Sequence, residues 1–353
     1  MPDTFTAYPL RLSCGIRRYG FGARLIQERL GKAGLPDGVI AETWEVSDHA
    51  GEPATVLNGV YRGRVLGELV QAYPDELVRP GWRGPHLPLL VKFLDASHLL
   101  PVHVHPDDTM ALRYGEPNGK DEAWHVLWAE EGTSVLVGLR PGLTRPALRE
   151  ALLAGACDDV LLRYPVRAGD TVDVPAGVLH TFGPGTLILE VQQTSDLAEH
   201  AMPHDLYGET LISEQREANL DATLDLLTSD ARPRPDPGTV VRDDDALRRL
   251  QGCRNRRFVL ERWSLRSPVT TALGEGGFAT LTNLGEPLEI THAGGRETLG
   301  RASSCLLPAA LGEVTLGGGR ETEGGGEADL VVCFEPEAGA PHRSGAQGGD
   351  EDA

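Results

Sequence analysis

The sequence predicts a mainly β protein whose short strands close into barrels, with a few inserted helices and a disordered C-terminal tail. Three observations carry this. Glycine and proline are abundant, 43 and 25 residues of 353, a composition that joins many short strands by turns. Runs with a helical period are few. The run Val102-His103-Val104-His105-Pro106-Asp107-Asp108 reads as a strand that aims His103 and His105 at one spot while Val102 and Val104 face the other way.

Length and charge bound the rest. A chain of 353 residues with 40% hydrophobic content exceeds the usual single domain and implies a large core plus a second, smaller unit. Lys and Arg number 33 against 52 Asp and Glu, a net charge of -19. That balance argues against nucleic acid and anionic membrane surfaces as partners, and an anionic small substrate would need basic groups gathered locally. The N-terminus shows neither a signal segment nor an apolar run able to span a bilayer. Cys14, Cys157, Cys253, Cys305 and Cys333 are odd in number, scattered and free of C-x-x-C spacing. They read as reduced thiols of a cytoplasmic protein, expected to be a monomer or weak homo-oligomer.

In chain order, Leu25, Ile26 and Leu30 fit one face of a short helix stopped by Gly31. Residues 40–49 read as a strand in which Trp44 and Val46 share one face and Thr43, Glu45 and Ser47 the other. Asn58-Gly59 and Arg62-Gly63 are turns, and a short helix starts at Leu66. Residues 87–95 form a dense apolar strand interrupted by Lys92. A buried ammonium without a partner costs several kcal/mol, so Lys92 requires a counter-charge unless it lies at an edge. Residues 121–128 begin a strand and 133–139 return as its partner across the Glu130-Glu131-Gly132 turn. Thr144 caps a helix to about Gly155 with Leu148 and Leu152 inward.

Next comes the pattern G-D, four residues, P-x-G, two residues, H over 169–180. Gly169 permits the turn into a strand, Pro175 and Gly177 bend the chain out of it, and His180 opens the next strand facing inward. Residues 186–193 form a long strand. The regions are then divided as follows: a catalytic barrel with its N-terminal extension over 1–200, a helical connection and proline-rich linker over 201–250, a second barrel-like unit over 251–336, and a disordered tail over 337–353. In the connection, Leu220, Leu224 and Leu227 recur at helical spacing. In the second unit, Gly300 to Pro308 and then Leu311-Gly312 echo the 169–177 turn, but the position five after the proline is Glu313 rather than histidine. The repeat keeps the turn and loses the ligand, so the second unit is expected to be metal-free.

His103, His105, Glu122 and His180 are therefore candidates for one site. Three imidazoles and a carboxylate suit zinc or another borderline divalent metal, and a closed barrel brings such strands around an interior pocket.

These residues resemble a cupin, and the longer pattern resembles the class I (cupin-type) mannose-6-phosphate isomerases. The matching stretches are E-T-W-E-V-S-D at 42–48, N-G at 58, L-P-L-L-V-K-F-L-D-A at 87–96, V-H-P-D-D at 104–108, G-K-D-E-A-W at 119–124, V-P-A-G-V-L-H at 174–180 and E-V-Q-Q-T-S-D at 190–196. The resemblance implies a double cupin of jelly-roll barrels and a metal-dependent aldose-ketose isomerase that interconverts mannose 6-phosphate and fructose 6-phosphate through a cis-enediol. It implies His103, His105, Glu122 and His180 as metal ligands, with zinc the usual ion. His103 stands where the family commonly has glutamine. Lys120 matches a family lysine and is the first candidate for catalysis and substrate contact, with Lys92 and His49 next as substrate-binding residues. An arginine expected a few residues after the Q-Q-x-S-D segment is replaced by His200, which becomes the second catalytic candidate; Arg216 is a further residue that could fold back into the site. Two other readings share these motifs: a related cupin enzyme acting on a different sugar or sugar phosphate, or through an iron-dependent oxidation, and a non-catalytic sugar-binding cupin. Asp107 and Asp108 are expected to cap a turn and orient a ligand histidine.

Overall fold

The computed structural model of the chain describes residues 4–318 and 328–337. The fold is mainly β, as the alternating runs predict, and its four sheets are antiparallel throughout. A five-stranded sheet runs Glu199–His200, His103–Val104, His180–Thr181, Ser134–Leu139, Leu161–Pro165. A six-stranded sheet runs Gly15–Arg17, Glu42–Val46, Leu89–Ala96, Thr186–Gln193, Glu122–Ala129, Thr171–Val174. A seven-stranded sheet runs Leu10–Arg11, Ser303–Leu307, Ala279–Asn283, Ala328–Phe334, Val259–Leu265, Leu247–Arg254, Thr239–Asp243. A four-stranded sheet runs Val269–Ala272, Glu313–Gly318, Leu288–His292, Gly295–Leu299.

Alternation along the strands decides how these sheets stack. On the six-stranded sheet Leu94, Trp124, Val126, Val172 and Ile188 pack with Val135 and Val137 of the five-stranded sheet, filling the first barrel. The intervening residues, Leu89, Val91, Phe93, Leu187, Leu189 and Val191, point the other way and pack on Leu10, Leu260, Leu306 and Val331 of the seven-stranded sheet and on Phe258 beside it. Strands apolar on both faces are buried on both sides, which is why residues 87–96 read as an almost continuous hydrophobic run. The far face of the seven-stranded sheet packs Leu281, Trp263 and Val332 on Leu288, Ile290 and Leu316 of the four-stranded sheet, closing a second barrel. The outer face of the five-stranded sheet, including Val102, Val104, Leu136 and Leu179, is covered by Leu148 and Leu152 of helix Arg145–Leu153 and by Leu220 and Leu224 of helix Ser213–Leu226.

Local signals behave as their chemistry predicts. Thr144 accepts a hydrogen bond from the Ala147 amide at the helix start. Leu226 is buried at the end of the long helix in place of the expected Leu227, which is half-buried. Sheet pairing cuts across the linear division at 200 and 250. The Leu10–Arg11 strand hydrogen-bonds to Ser303–Leu307, and strands Thr239–Asp243 and Leu247–Arg254 already belong to the second barrel. Short strands with unpaired backbone groups attach wherever a sheet edge is open, and sequence distance does not restrain them. The proline-rich stretch is docked too, since Asp236 and Thr171 exchange backbone hydrogen bonds of 2.8 and 2.9 Å. The expected tail lies outside the described residues from 338 onward.

Candidate metal centre

His103 and His180 sit directly opposite each other on neighbouring strands, and His200 is opposite His103 on its other side. Their side chains point into the first barrel, because Val102, Val104 and Leu179 take the outward positions. Glu122 comes from the six-stranded sheet across the barrel. The ligand atoms of His103, His105, Glu122 and His180 all lie within 4.8 Å of one another.

Hydrogen bonds fix which ring nitrogen faces the centre. His103 Nδ1 lies 2.6 Å from Pro101 O, His105 Nδ1 2.7 Å from Leu197 O and His180 Nδ1 2.8 Å from Val178 O. A carbonyl oxygen only accepts, so each Nδ1 carries the proton and each Nε2 presents a lone pair inward. Asp107 and Asp108 do not orient His105; Asp107 caps the helix beginning at Asp108, Asp108 accepts from the Gly119 amide, and the orienting group is the Leu197 carbonyl.

This arrangement asks for a cation. His103 Nε2 and His180 Nε2 approach to 2.9 Å with lone pairs facing each other. Glu122 Oε2 is 3.2 Å from His105 Nε2 and Oε1 is 3.2 Å from His180 Nε2, so both buried carboxylate oxygens face imidazole nitrogens that present lone pairs. Lys120 Nζ offsets part of the charge at 2.8 Å from Glu122 Oε2 and 3.1 Å from His105 Nε2. Three imidazole nitrogens and one carboxylate match the donor set of a borderline divalent ion, and outer-shell carbonyls on every Nδ1 are how such sites hold their ligands.

The electrostatics keep these groups ready to bind. Burial, then the Lys120 charge, pushes His105 down to about 3, and burial with the neighbouring imidazoles holds His103 well below its usual value. Burial alone would raise the Glu122 carboxyl, but Lys120 and His105 hold it far below the carboxylate range. Neutral imidazoles and an ionised carboxylate are the forms that bind metal.

Beside the centre opens a cleft of about 610 Å³, part of it open to solvent, bordered by His103, His105, Lys120, Lys92, Glu190 and His200 among others. Lys92 has the partners that its burial demanded. Its Nζ lies 3.5 Å from Glu42, 3.9 Å from Glu190 and 3.9 Å from Asp196, and 4.2 Å from the centre of the Trp44 ring. Lys120 also lies 3.6 Å from Glu190. Burial and then the Glu122 charge push Glu190 up to about 7, against the pull of the two lysines. Its Oε2 accepts from Trp124 Nε1 at 3.2 Å, while Oε1 is buried without a hydrogen bond. Burial and Lys120 push His200 down to about 4, leaving it uncharged at neutral pH. Two residues fall elsewhere. His49 lies tilted beside Trp44, with ring centres 5.6 Å apart, and accepts from the Gly51 amide, and Arg216 donates to the Leu153 carbonyl. Glu42, Glu190 and Asp196 as cleft carboxylates escaped the sequence reading. The available signal was Lys92, whose register across the sheet pairs it with Glu190 and Trp44.

Fold and site together define a double-barrel cupin with one metal-binding cluster among the described residues. Residues 10–125 match the model of the type I phosphomannose isomerase catalytic domain. A mannose-6-phosphate isomerase of Streptococcus mutans is 33% identical over 222 residues, 63% of this chain and 68% of that protein. The probable mannose-6-phosphate isomerase GmuF of Bacillus subtilis is 30% identical over 63% of this chain and 69% of its own length. The crystal structure of the mannose 6-phosphate isomerase from Bacillus subtilis superposes with a TM-score of 0.80 over 93% of this chain and all of that one, at 23% identity. The chain belongs to the type I phosphomannose isomerase family, a family of aldose-ketose isomerases.

Proposed function

We propose that the protein interconverts mannose 6-phosphate and fructose 6-phosphate, with zinc as its ion. The observation that carries the reading is the adjacency of the four-ligand cluster to a cleft holding one unbonded carboxylate oxygen, on Glu190, and two buried lysines. Held by His103, His105, Glu122 and His180, a divalent ion supplies Lewis-acid stabilisation of negative charge on the oxygens of an enediol.

The chain's own groups divide the remaining work. Glu190, poised near neutrality in the metal-free site, takes the proton from C2 of the open-chain aldose and returns it to C1. Trp124 fixes one Glu190 oxygen, so the other is the one that moves the proton. Lys120 is held protonated by Glu122 and Glu190 against its burial, which makes it a donor to the oxygen where charge develops rather than a base. Lys92 is the second cation bordering the cleft and the candidate for the substrate's anionic end. His200, neutral and 5.6 Å from His103 between ring centres, is suited to a hydroxyl hydrogen bond and lacks the fork of the arginine it replaces. His49 is not among the residues bordering the cleft, and its ring lies beside Trp44 at 5.6 Å between centres. No helix among the described residues is long and apolar enough to cross a membrane. The five unpaired thiols support a cytoplasmic setting.

The test is a coupled assay on the zinc-loaded protein with mannose 6-phosphate, following fructose 6-phosphate. Turnover is expected, and Glu190→Gln should lower kcat about 10²- to 10⁴-fold while retaining the metal. Absence of turnover with zinc, manganese or cobalt would overturn the reading. One observation favours a second substrate class. The side chains bordering the cleft include three carboxylates, Glu42, Glu190 and Asp196, against two lysines and no arginine. A panel of unphosphorylated aldoses, run beside the phosphate, separates the two by kcat/KM.

A further inference from the structure

Among the described residues the second barrel has no ligand cluster of its own, yet one of its turns reaches the back of the first barrel's candidate metal centre. Strands Leu247–Arg254 and Val259–Leu265 are joined by Asn255-Arg256-Arg257-Phe258. Asn255 Oδ1 accepts from the Arg257 and Phe258 amides at 2.8 and 2.9 Å, which shapes the turn so that both guanidinium groups point to the first barrel. Arg256 Nε and Nη2 lie 3.2 and 3.1 Å from Asp121 Oδ2, and Arg257 Nε lies 3.3 Å from the same oxygen. Arg257 Nη2 also binds Asp108 Oδ2. Asn255 Nδ2 donates to Asp173 at 2.8 Å.

Each of these three aspartates sits on a segment that delivers a metal ligand. Asp121 immediately precedes Glu122, and its second oxygen accepts at 2.9 Å from the Ala176 amide in the turn that leads to His180. Asp108 follows the His105 segment and binds the Gly119 amide at 2.9 Å and Gln193 at 3.0 Å. Gln193 Oε1 in turn accepts from the Asp121 amide at 3.1 Å. Asp173 lies in the strand that enters Pro175. Asp121 is only 5% exposed, so its charge is held away from water and depends on these donors.

We infer that the 255–257 turn of the second barrel is a positioning device for the metal centre, clamping from behind the segments that carry His105, Glu122 and His180. Arg256 and Arg257 touch neither ligand atoms nor cleft; they act by holding Asp121 and Asp108. Bracing partners of metal-bearing segments commonly change metal affinity 10- to 100-fold. The inference rests on the four residues holding a metal, so the test includes a readout that needs none.

The experiment uses the full chain carrying Arg256→Ala with Arg257→Ala, alongside Arg254→Ala, which removes a second-barrel ion pair to Glu275 remote from the ligand segments. In metal-free protein, the Ala176 and Gly119 amides should exchange with deuterium at least about 10-fold faster in the double variant than in the parent or in Arg254→Ala. Zinc affinity by chelator competition should fall about 10- to 100-fold in the double variant alone. Arg257→Lys, which keeps the charge and loses the fork, should fall between, and it serves if the double variant does not fold. Unchanged amide protection together with unchanged zinc affinity overturns the clamp. If the parent binds no zinc, the metal reading fails while the exchange data still judge the clamp.

Discussion

The two barrels are built on the same turn and filled in opposite ways. Pro175 and Pro308 each end a strand, and the residue five further on opens the next one, His180 in the first barrel and Glu313 in the second. Inside the first barrel a polar row crosses the six-stranded sheet, with Lys92 opposite Glu190 and Glu190 opposite Trp124, and the histidines face it. Inside the second, the corresponding space holds Leu281, Trp263, Ile290, Leu316 and Val332, and Glu313 is exposed. The second barrel is therefore filled mainly by apolar contacts, with one buried carboxylate, Glu261, that accepts from Trp263 Nε1 at 2.7 Å and pairs with Arg249, whereas the first gathers several buried charges beside one ligand cluster. The seven-stranded sheet joins the two by packing on both, so neither is independent.

The sharpest way to break this contrast is to strip the first barrel of its ligands. Glu122→Gln removes the anionic donor and the partner of Lys120, which lies 2.8 Å away. Metal should be lost from the purified protein, read by elemental analysis, and isomerase activity should drop by at least about 10³-fold, since Lewis-acid stabilisation is worth several kcal/mol. The second barrel's core should remain intact by near-ultraviolet signals from Trp263. A variant that keeps a full equivalent of metal and most of its activity would remove Glu122 from the ligand set.

Much of this asymmetry is legible in the sequence, because it depends on local periodicity. His103 and His105 two apart, the 169–180 turn and the apolar run at 87–96 each report the face that a side chain occupies, and the structure places them on those faces. What could not be read was pairing over long distance. The Leu10–Arg11 strand joins Ser303–Leu307, nearly three hundred residues on, and two residues offer too little pattern to reveal a partner. Arg256 and Arg257 carry no signal of their own in the sequence, because what they do depends on meeting Asp121 across the interface between barrels. Glu190 belonged to a recognisable motif, but its place in the cleft comes from the register that sets it opposite Lys92. Leu197 could not be foreseen as the partner of His105, since backbone carbonyls carry no sequence signature.

A smaller effect is expected at the seam. His125 is on the strand that carries Glu122 but faces the other way, 1% exposed, with Nδ1 3.0 Å from Thr171 Oγ1 and Nε2 without a partner. Burial, with a minor push from Arg262, lowers it to about 3. An unfolded histidine takes up a proton below about 6.5, while the folded one refuses it until about 3. Over that window the unfolded chain binds more protons, so stability rises with pH and falls on acidification. His125→Gln should flatten the pH dependence of denaturant unfolding between about pH 6.5 and 4, by an amount on the order of a few kcal/mol at the acid end. An unchanged slope would show that His125 does not contribute to acid lability. Measuring metal-free protein avoids proton competition at the ligands.

The smallest expected effect tests whether the repeat is a dormant site. Glu313→His restores histidine at the position that corresponds to His180. Position 313 is exposed at the start of its strand, pairs with Ala272, and has no imidazole or carboxylate cluster around it among the described residues. A lone exposed histidine supplies one donor where a stable site needs three or four. The variant should therefore bind the same number of metal ions per chain as the parent, one expected for each, with unchanged affinity. Its unfolding should shift by no more than about 0.5 kcal/mol, the usual range for an exposed substitution. Two metals per chain would show that the second barrel kept more of the site than its apolar filling allows, and the contrast between the barrels would then be one of ligand count rather than of construction.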